Sequence, residues 1–163
     1  MKKFFITLFI SMLAIVADAQ MITFAKFTPG NNPLVFNTER MFMYVSDAKN
    51  KMQADESIRT FYDGTKFSTR LKTSGTGNHG NQIFLSIKGT GTLTVYASSA
   101  SNDEARSISI IKGAHVVASQ IVEGTNKSPI TCKIEKPGEY QVLYPDGPIN
   151  IYGVKFIQAE ETK

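Results

Sequence analysis

From Ile22 onward apolar and polar residues change places at every second position, and helical spacing is scarce. In Lys66 to Lys72, Phe67, Thr69 and Leu71 share one face, while Ser68, Arg70 and Lys72 share the other. Ile83, Leu85 and Ile87 share a face in the next run, as do Leu93, Val95 and Ala97 in the one after. Strands are also predicted over Ile22–Phe27, Met41–Val45, Ser107–Ile111, His115–Val122, Ile130–Ile134, Glu139–Tyr144 and Ile149–Ile157. Each is about five to eight residues long and closed by turn residues, the pattern of a sandwich or barrel. Asp63-Gly64 lies between Phe61-Tyr62 and Lys66-Phe67, a hairpin signal because glycine supplies the positive φ of a tight turn. Lys112-Gly113 and Lys136-Pro137-Gly138 punctuate in the same way. The one helical candidate is a short turn within Asp47 to Ile58. The fold class expected is all-β, a two-sheet antiparallel β-sandwich of jelly-roll type.

The start of the chain breaks this pattern. Met1-Lys2-Lys3 is followed by a nearly unbroken apolar run from Phe4 to Val16, then by Ala17-Asp18-Ala19. This is the order of a secretory signal, with small residues at the two positions a signal peptidase reads. The run falls short of the roughly 20 residues a spanning helix needs, and no later stretch is long enough. The expected organisation is a signal peptide over 1–19, cut after Ala19, and a single domain over 20–163. The expected location is therefore secreted or periplasmic, with no membrane span in the mature chain.

Composition narrows the partners. The formal charge is +4, and loss of Lys2, Lys3 and Asp18 with the signal lowers it to +3. The charges are interspersed, and no run of Lys and Arg suggests a nucleic-acid partner. Cys132 is the single cysteine, so no disulfide forms within the chain. It sits in Ile130-Thr131-Cys132-Lys133-Ile134, where alternate residues are apolar. That reads as a small buried hydrophobe on an inner face.

Motifs for catalysis are missing. His79 lies in the loop Asn78-His79-Gly80 and His115 begins a strand, neither with a Cys, His or carboxylate at zinc-ligand spacing. There is no G-x-S-x-G elbow, no phosphate loop and no D-x-D-x-D-G calcium loop. No cofactor or metal is expected, and a structural calcium is not indicated. Acidic residues are scattered through turns and strand ends; a glycoside hydrolase needs two of them to converge in space, which their spacing along the chain does not show. Aromatic rings can cover the apolar face of a sugar, and with no Trp the candidates are Tyr44, Tyr62, Tyr96, Tyr140, Tyr144 and Tyr152. Tyr96 is in phase with Thr92, Thr94 and Ser98 and faces away from Leu93, Val95 and Ala97. The candidate surface is thus the outward face bearing Arg70, Lys72 and Tyr96, where cations meet uronate carboxylates and a ring stacks.

A family resemblance adds direction. The segment from Asp63 to Lys72 resembles the opening strand pair of a β-sandwich module found in secreted pectate-lyase-type and related polysaccharide-degrading proteins. The likeness continues through Ile83–Gly89, Leu93–Ser99, Glu104–Ile108, the Pro137-Gly138-Glu139-Tyr140 turn and Gly147–Val154, so that it spans Tyr62 to Phe156. It implies a galactose-binding-like jelly roll that accompanies catalytic domains and is not itself the catalyst. Arg106, Asn150 and Tyr152 stand at its motif positions and join the candidate substrate-binding residues. Arg106 pinning a loop and Tyr152 closing the sandwich is the structural alternative. The function expected is a non-catalytic, carbohydrate-associated binding module, with acidic plant or cell-surface polysaccharide as ligand class. The alternatives are a structural or assembly protein of the cell envelope that binds another protein, and a weak polysaccharide lyase or hydrolase.

Overall fold

The computed structural model describes residues 19–31, 33–77 and 80–160. The proposed signal up to Asp18 and the His79 loop tip lie outside the described residues. Twelve strands form among them, and no helix: β1 (Ala19–Ile22), β2 (Val35–Asn37), β3 (Met41–Val45), β4 (Gln53–Thr60), β5 (Lys66–Lys72), β6 (Ile83–Ile87), β7 (Gly91–Ser99), β8 (Arg106–Lys112), β9 (His115–Val122), β10 (Ile130–Ile134), β11 (Gly138–Leu143) and β12 (Ile149–Gln158). They make two antiparallel sheets. Sheet A runs β10-β7-β12-β5-β4, with β1 added to β12, and sheet B runs β2-β3-β6-β11-β8-β9. The molecule is a β-sandwich of jelly-roll type.

The period-2 pattern explains the core. Leu93, Val95 and Ala97 of β7, with Ile149, Ile151, Val154 and Phe156 of β12, point inward from sheet A. Met41, Met43 and Val45 of β3, with Ile83, Leu85 and Ile87 of β6 and Tyr140 and Val142 of β11, meet them from sheet B. Burial of one face per sheet fixes the register, because a one-residue slip would turn every inward side chain to water. Cys132 joins this core from β10.

Two expectations change. Asp47 to Ile58 forms no helix: Asp47 accepts the amides of Lys51 (3.1 Å) and Met52 (2.8 Å) in a turn, and β4 comes next. Met52 and Ala54 enter the core, so tertiary burial decides the conformation there. The first strand runs Ala19–Ile22 rather than Ile22–Phe27. Its register sets Ala19 opposite Ile157 and Ile22 opposite Val154 on β12.

The β4–β5 hairpin shapes the outer side of sheet A. Gly64 takes φ of 83°, and the Phe61 amide donates to the Thr65 carbonyl at 2.9 Å. A register shift between Glu56 and Arg59 bends β4. Its outer end then folds across the sheet, where Arg59 donates to the carbonyls of Gly124 and Asn126, each at 2.9 Å.

Candidate functional site

Sheet A does not present the outward face expected from the sequence. Strand phase does turn Tyr96 and Tyr152 away from the main core, but the hairpin covers them. Phe61 and Phe67 close over both tyrosines in a second, smaller core, and all four rings are buried. The Phe61 ring stands edge-on to Tyr96 and Tyr152 at centroid distances of 5.0 and 5.6 Å. Gly153 makes room: a Cβ there would strike the Phe67 ring and the Ile22 carbonyl. The Tyr96 hydroxyl donates to Asp63 at 2.7 Å, and the Arg59 guanidinium lies 4.8 Å from the Tyr152 ring centre. Tyr96 is therefore no exposed stacking platform, because a neighbouring element occupies the place a sugar would take.

The other predicted residues separate into three places. Arg70 and Lys72 do lie together, both on Asp55: Arg70 Nε is 2.8 Å and Lys72 Nζ 3.6 Å from its carboxylate. Partial burial pushes the Asp55 carboxyl up, but the two cations outweigh it and hold its pKa below the usual value. One of their two positive charges is thus answered within the protein. Asn150 is buried, and its amide donates to the Ser99 carbonyl at 3.1 Å. Arg106 donates to the Pro148 carbonyl and, at 3.0 Å, to Glu104. Its guanidinium packs where a Cβ on Gly147 would sit, which gives it a loop-pinning place.

Sheet B carries the feature that strand phase alone left hidden. Its outer surface presents Phe42 and Tyr44 from β3 and Phe84 from β6. Phe42 and Tyr44 are 39% and 38% exposed. The Tyr44 and Phe84 rings stand 6.3 Å apart and within 28° of parallel. Tyr44 pairs with Phe84 across the strands, and Phe42 with Ser86, so the three rings and one hydroxyl fall on one patch. Glu139, opposite Ser86 on β11, closes the far side of a shallow hollow of about 460 Å³. Every position of Met41–Val45 is apolar, so the run lacks the polar contrast that marks an outward face. The available signal was its chemistry, with aromatics at 42 and 44 and aliphatics at 41, 43 and 45.

Among the described residues no group of three or more His, Cys, Asp and Glu side chains is placed to hold a metal ion. No described helix is long and apolar enough to cross a membrane.

Neither a protein-family model nor a curated protein matches the chain. Several solved structures are similar to it. One, from the Ruminococcus flavefaciens cellulosome and a study of glycan recognition, is 14% identical with a TM-score of 0.40, over 79% of this chain and 100% of that one. The CBM51-2 and INT domains of Clostridium perfringens ZmpB are 10% identical with a TM-score of 0.47, over 88% of this chain and 41% of that one. CsCBM6-3 of Clostridium stercorarium, in complex with cellobiose, is 12% identical with a TM-score of 0.34, over 83% and 95%. The sandwich assignment rests on the two sheets themselves.

Proposed function

We propose that this chain is a non-catalytic carbohydrate-binding module, delivered outside the cytoplasm by its N-terminal signal, that takes a glycan on the outer face of sheet B. The observation that carries the reading is the half-exposed Tyr44–Phe84 pair with Phe42 beside it, bordered by Ser86 and Glu139. Flat rings in near-parallel orientation match the apolar faces of successive sugar units, and burial of those faces against aromatics is favourable. Ser86 and Glu139 supply the few oriented polar groups that fix a hydroxylated ligand in a mainly apolar site. Among the described residues Glu139 is the one carboxylate that lines the hollow. A hydrolytic site would bring two carboxyl groups to opposite sides of the scissile bond, so binding without cleavage is the better reading.

A second reading has one observation in its favour. Val35, 44% exposed and opposite Tyr44, extends the aromatic patch toward the β2 edge, and a widened apolar surface suits a protein partner. Binding measurements separate the two. Affinity electrophoresis and calorimetry across neutral and acidic polysaccharides should show retention by the parent protein. Tyr44→Ala and Phe42→Ala should weaken it tenfold or more, about 1.4 kcal/mol, with unchanged melting temperature because both rings lie outside the core. Arg70→Ala/Lys72→Ala should bind as the parent does. Absence of binding to every polysaccharide, or full binding by Tyr44→Ala, would overturn the reading.

A further inference from the structure

A second surface gathers charge. Strands β9 and β10 are the outer strands of the two sheets on the same side of the sandwich, joined by the turn after Val122. Between their far ends, near His115 and Glu135, opens a cleft of about 630 Å³. Its floor is apolar, made by Val117, Cys132 and Tyr140. Its walls carry Lys112, Lys133 and Lys136 against the single carboxylate of Glu135.

The Lys112 ammonium is fixed in place by neutral oxygens. It donates to the carbonyls of Lys136 and Pro137, each at 2.9 Å, reaches the Tyr140 hydroxyl at 3.4 Å, and lies 4.8 Å from that ring's centre. None of these partners carries a negative charge, so its own charge stands uncompensated at the cleft. Lys136 forms no ion pair among the described residues. Lys133 approaches Glu135 at 3.6 Å, but both side chains are mostly in water, where such a pair is weak. The cleft therefore combines a net positive wall with an apolar floor, and concave sites of one sign concentrate ligands of the other.

We infer that this cleft binds the carboxylate groups of an acidic glycan chain. Sugar carbons would cover Val117, and uronate carboxylates would meet Lys133 and Lys136 beside the fixed charge of Lys112. The inference rests on the carbohydrate reading and adds to it a ligand class and a second surface, distinct from the sheet B platform. Arg70 and Lys72 of sheet A share the carboxylate of Asp55, whereas Lys112 and Lys136 of the cleft have no carboxylate partner among the described residues.

The test compares polygalacturonate, its carboxyl-reduced neutral form and polyglutamate as probes of the full mature protein at low and high salt. Lys133→Ala/Lys136→Ala changes two exposed side chains and leaves the core intact. The expected result is binding of polygalacturonate weakened roughly tenfold in this variant at low salt, with the difference erased at high salt. Binding of the neutral polymer should not change, and polyglutamate should bind less tightly than polygalacturonate. Equal binding of polygalacturonate by parent and variant would overturn the cleft as a site. Polyglutamate binding as tight as polygalacturonate would overturn the glycan and leave a generic polyanion surface. Tyr44→Ala reports separately on the platform, so a failure there is distinguishable from a failure of the cleft.

Discussion

Cys132 has a side chain in the core and one edge on the cleft. Burial pushes its thiol up to about 11, because the low-dielectric surroundings disfavour the charged thiolate. The thiolate is the reactive form, so little of it exists near neutral pH. In the folded protein, reaction with a disulfide reagent at pH 8 should be slower than in the urea-unfolded chain by an order of magnitude or more. The rate should keep rising as pH approaches 11, where an unperturbed thiol would level off near 8.5. Fast labelling at pH 8 would show the thiol to be open to solvent. This residue was legible in the sequence because its neighbours alternate cleanly and a lone buried cysteine behaves as a small hydrophobe. Tyr96 was legible only by half. Phase gave its face correctly, but phase cannot say what lies on that face.

On that face lies the β4–β5 hairpin, and its hold is electrostatic as well as apolar. Asp63 accepts the Thr65 amide at 3.0 Å and the Tyr96 hydroxyl at 2.7 Å, with Lys155 at 3.5 Å. Its slight burial pushes the carboxyl up, but these partners outweigh that and leave its pKa below the usual value. Asp55 is lowered in the same sense by Arg70 and Lys72. A carboxylate with a depressed folded pKa adds stability above its unfolded value near 4, and that stability is lost as pH falls through the folded pKa. Acid should therefore loosen this hairpin first. Hydrogen exchange, taken relative to the intrinsic rate at each pH, should accelerate below about pH 4 at the Phe61 and Gly64 amides before those of β3 and β6. In Asp55→Asn/Asp63→Asn that acceleration should flatten, and a uniform response across both sheets would refute the assignment. The hairpin's turn was readable from Asp63-Gly64, and strands β5, β9 and β10 were bounded as expected because each ends on turn residues; Phe67 and Leu71, expected on one face of β5, enter the small outer core and the main core respectively. Strand β4 was not readable: Gln53–Thr60 is polar at most positions, and its pairing with β5 and the burial of Ala54 make it a strand. Strand β2, three residues long, carries too short a period to register.

At the scale of the whole molecule, the two surfaces lie on different parts of the sandwich, the platform on the open face of sheet B and the cleft between β9 and β10. The platform was hidden in the sequence because an all-apolar strand gives no contrast between its faces. The cleft was hidden because Lys112, His115, Lys133 and Lys136 are brought together only when two sheet edges meet. The proposed cut after Ala19 also has a structural consequence. It would leave Gln20, whose side-chain oxygen accepts the Arg40 amide at 2.8 Å, and would spare Ile22 and Phe24, both buried. If the chain is exported as proposed, mass spectrometry of the protein recovered outside the cytoplasm should find Gln20 at its N-terminus. Removal of residues through Phe24 should lower the melting temperature by several degrees or more, since two core side chains and the β1 pairing go with it. An unchanged melting temperature would show that β1 contributes nothing.

The pairing of β1 with β12 bears on the two ends of the domain. Residue 20 stands opposite residue 156, so the domain is entered and left at adjacent points on one side of sheet A. Ends placed this way can be bridged by a few flexible residues and the chain reopened elsewhere, for instance at the exposed Gly113 turn, without altering either sheet's order. The same geometry lets the domain be spliced as a unit into a surface loop of another protein, as a bead clipped onto a closed ring.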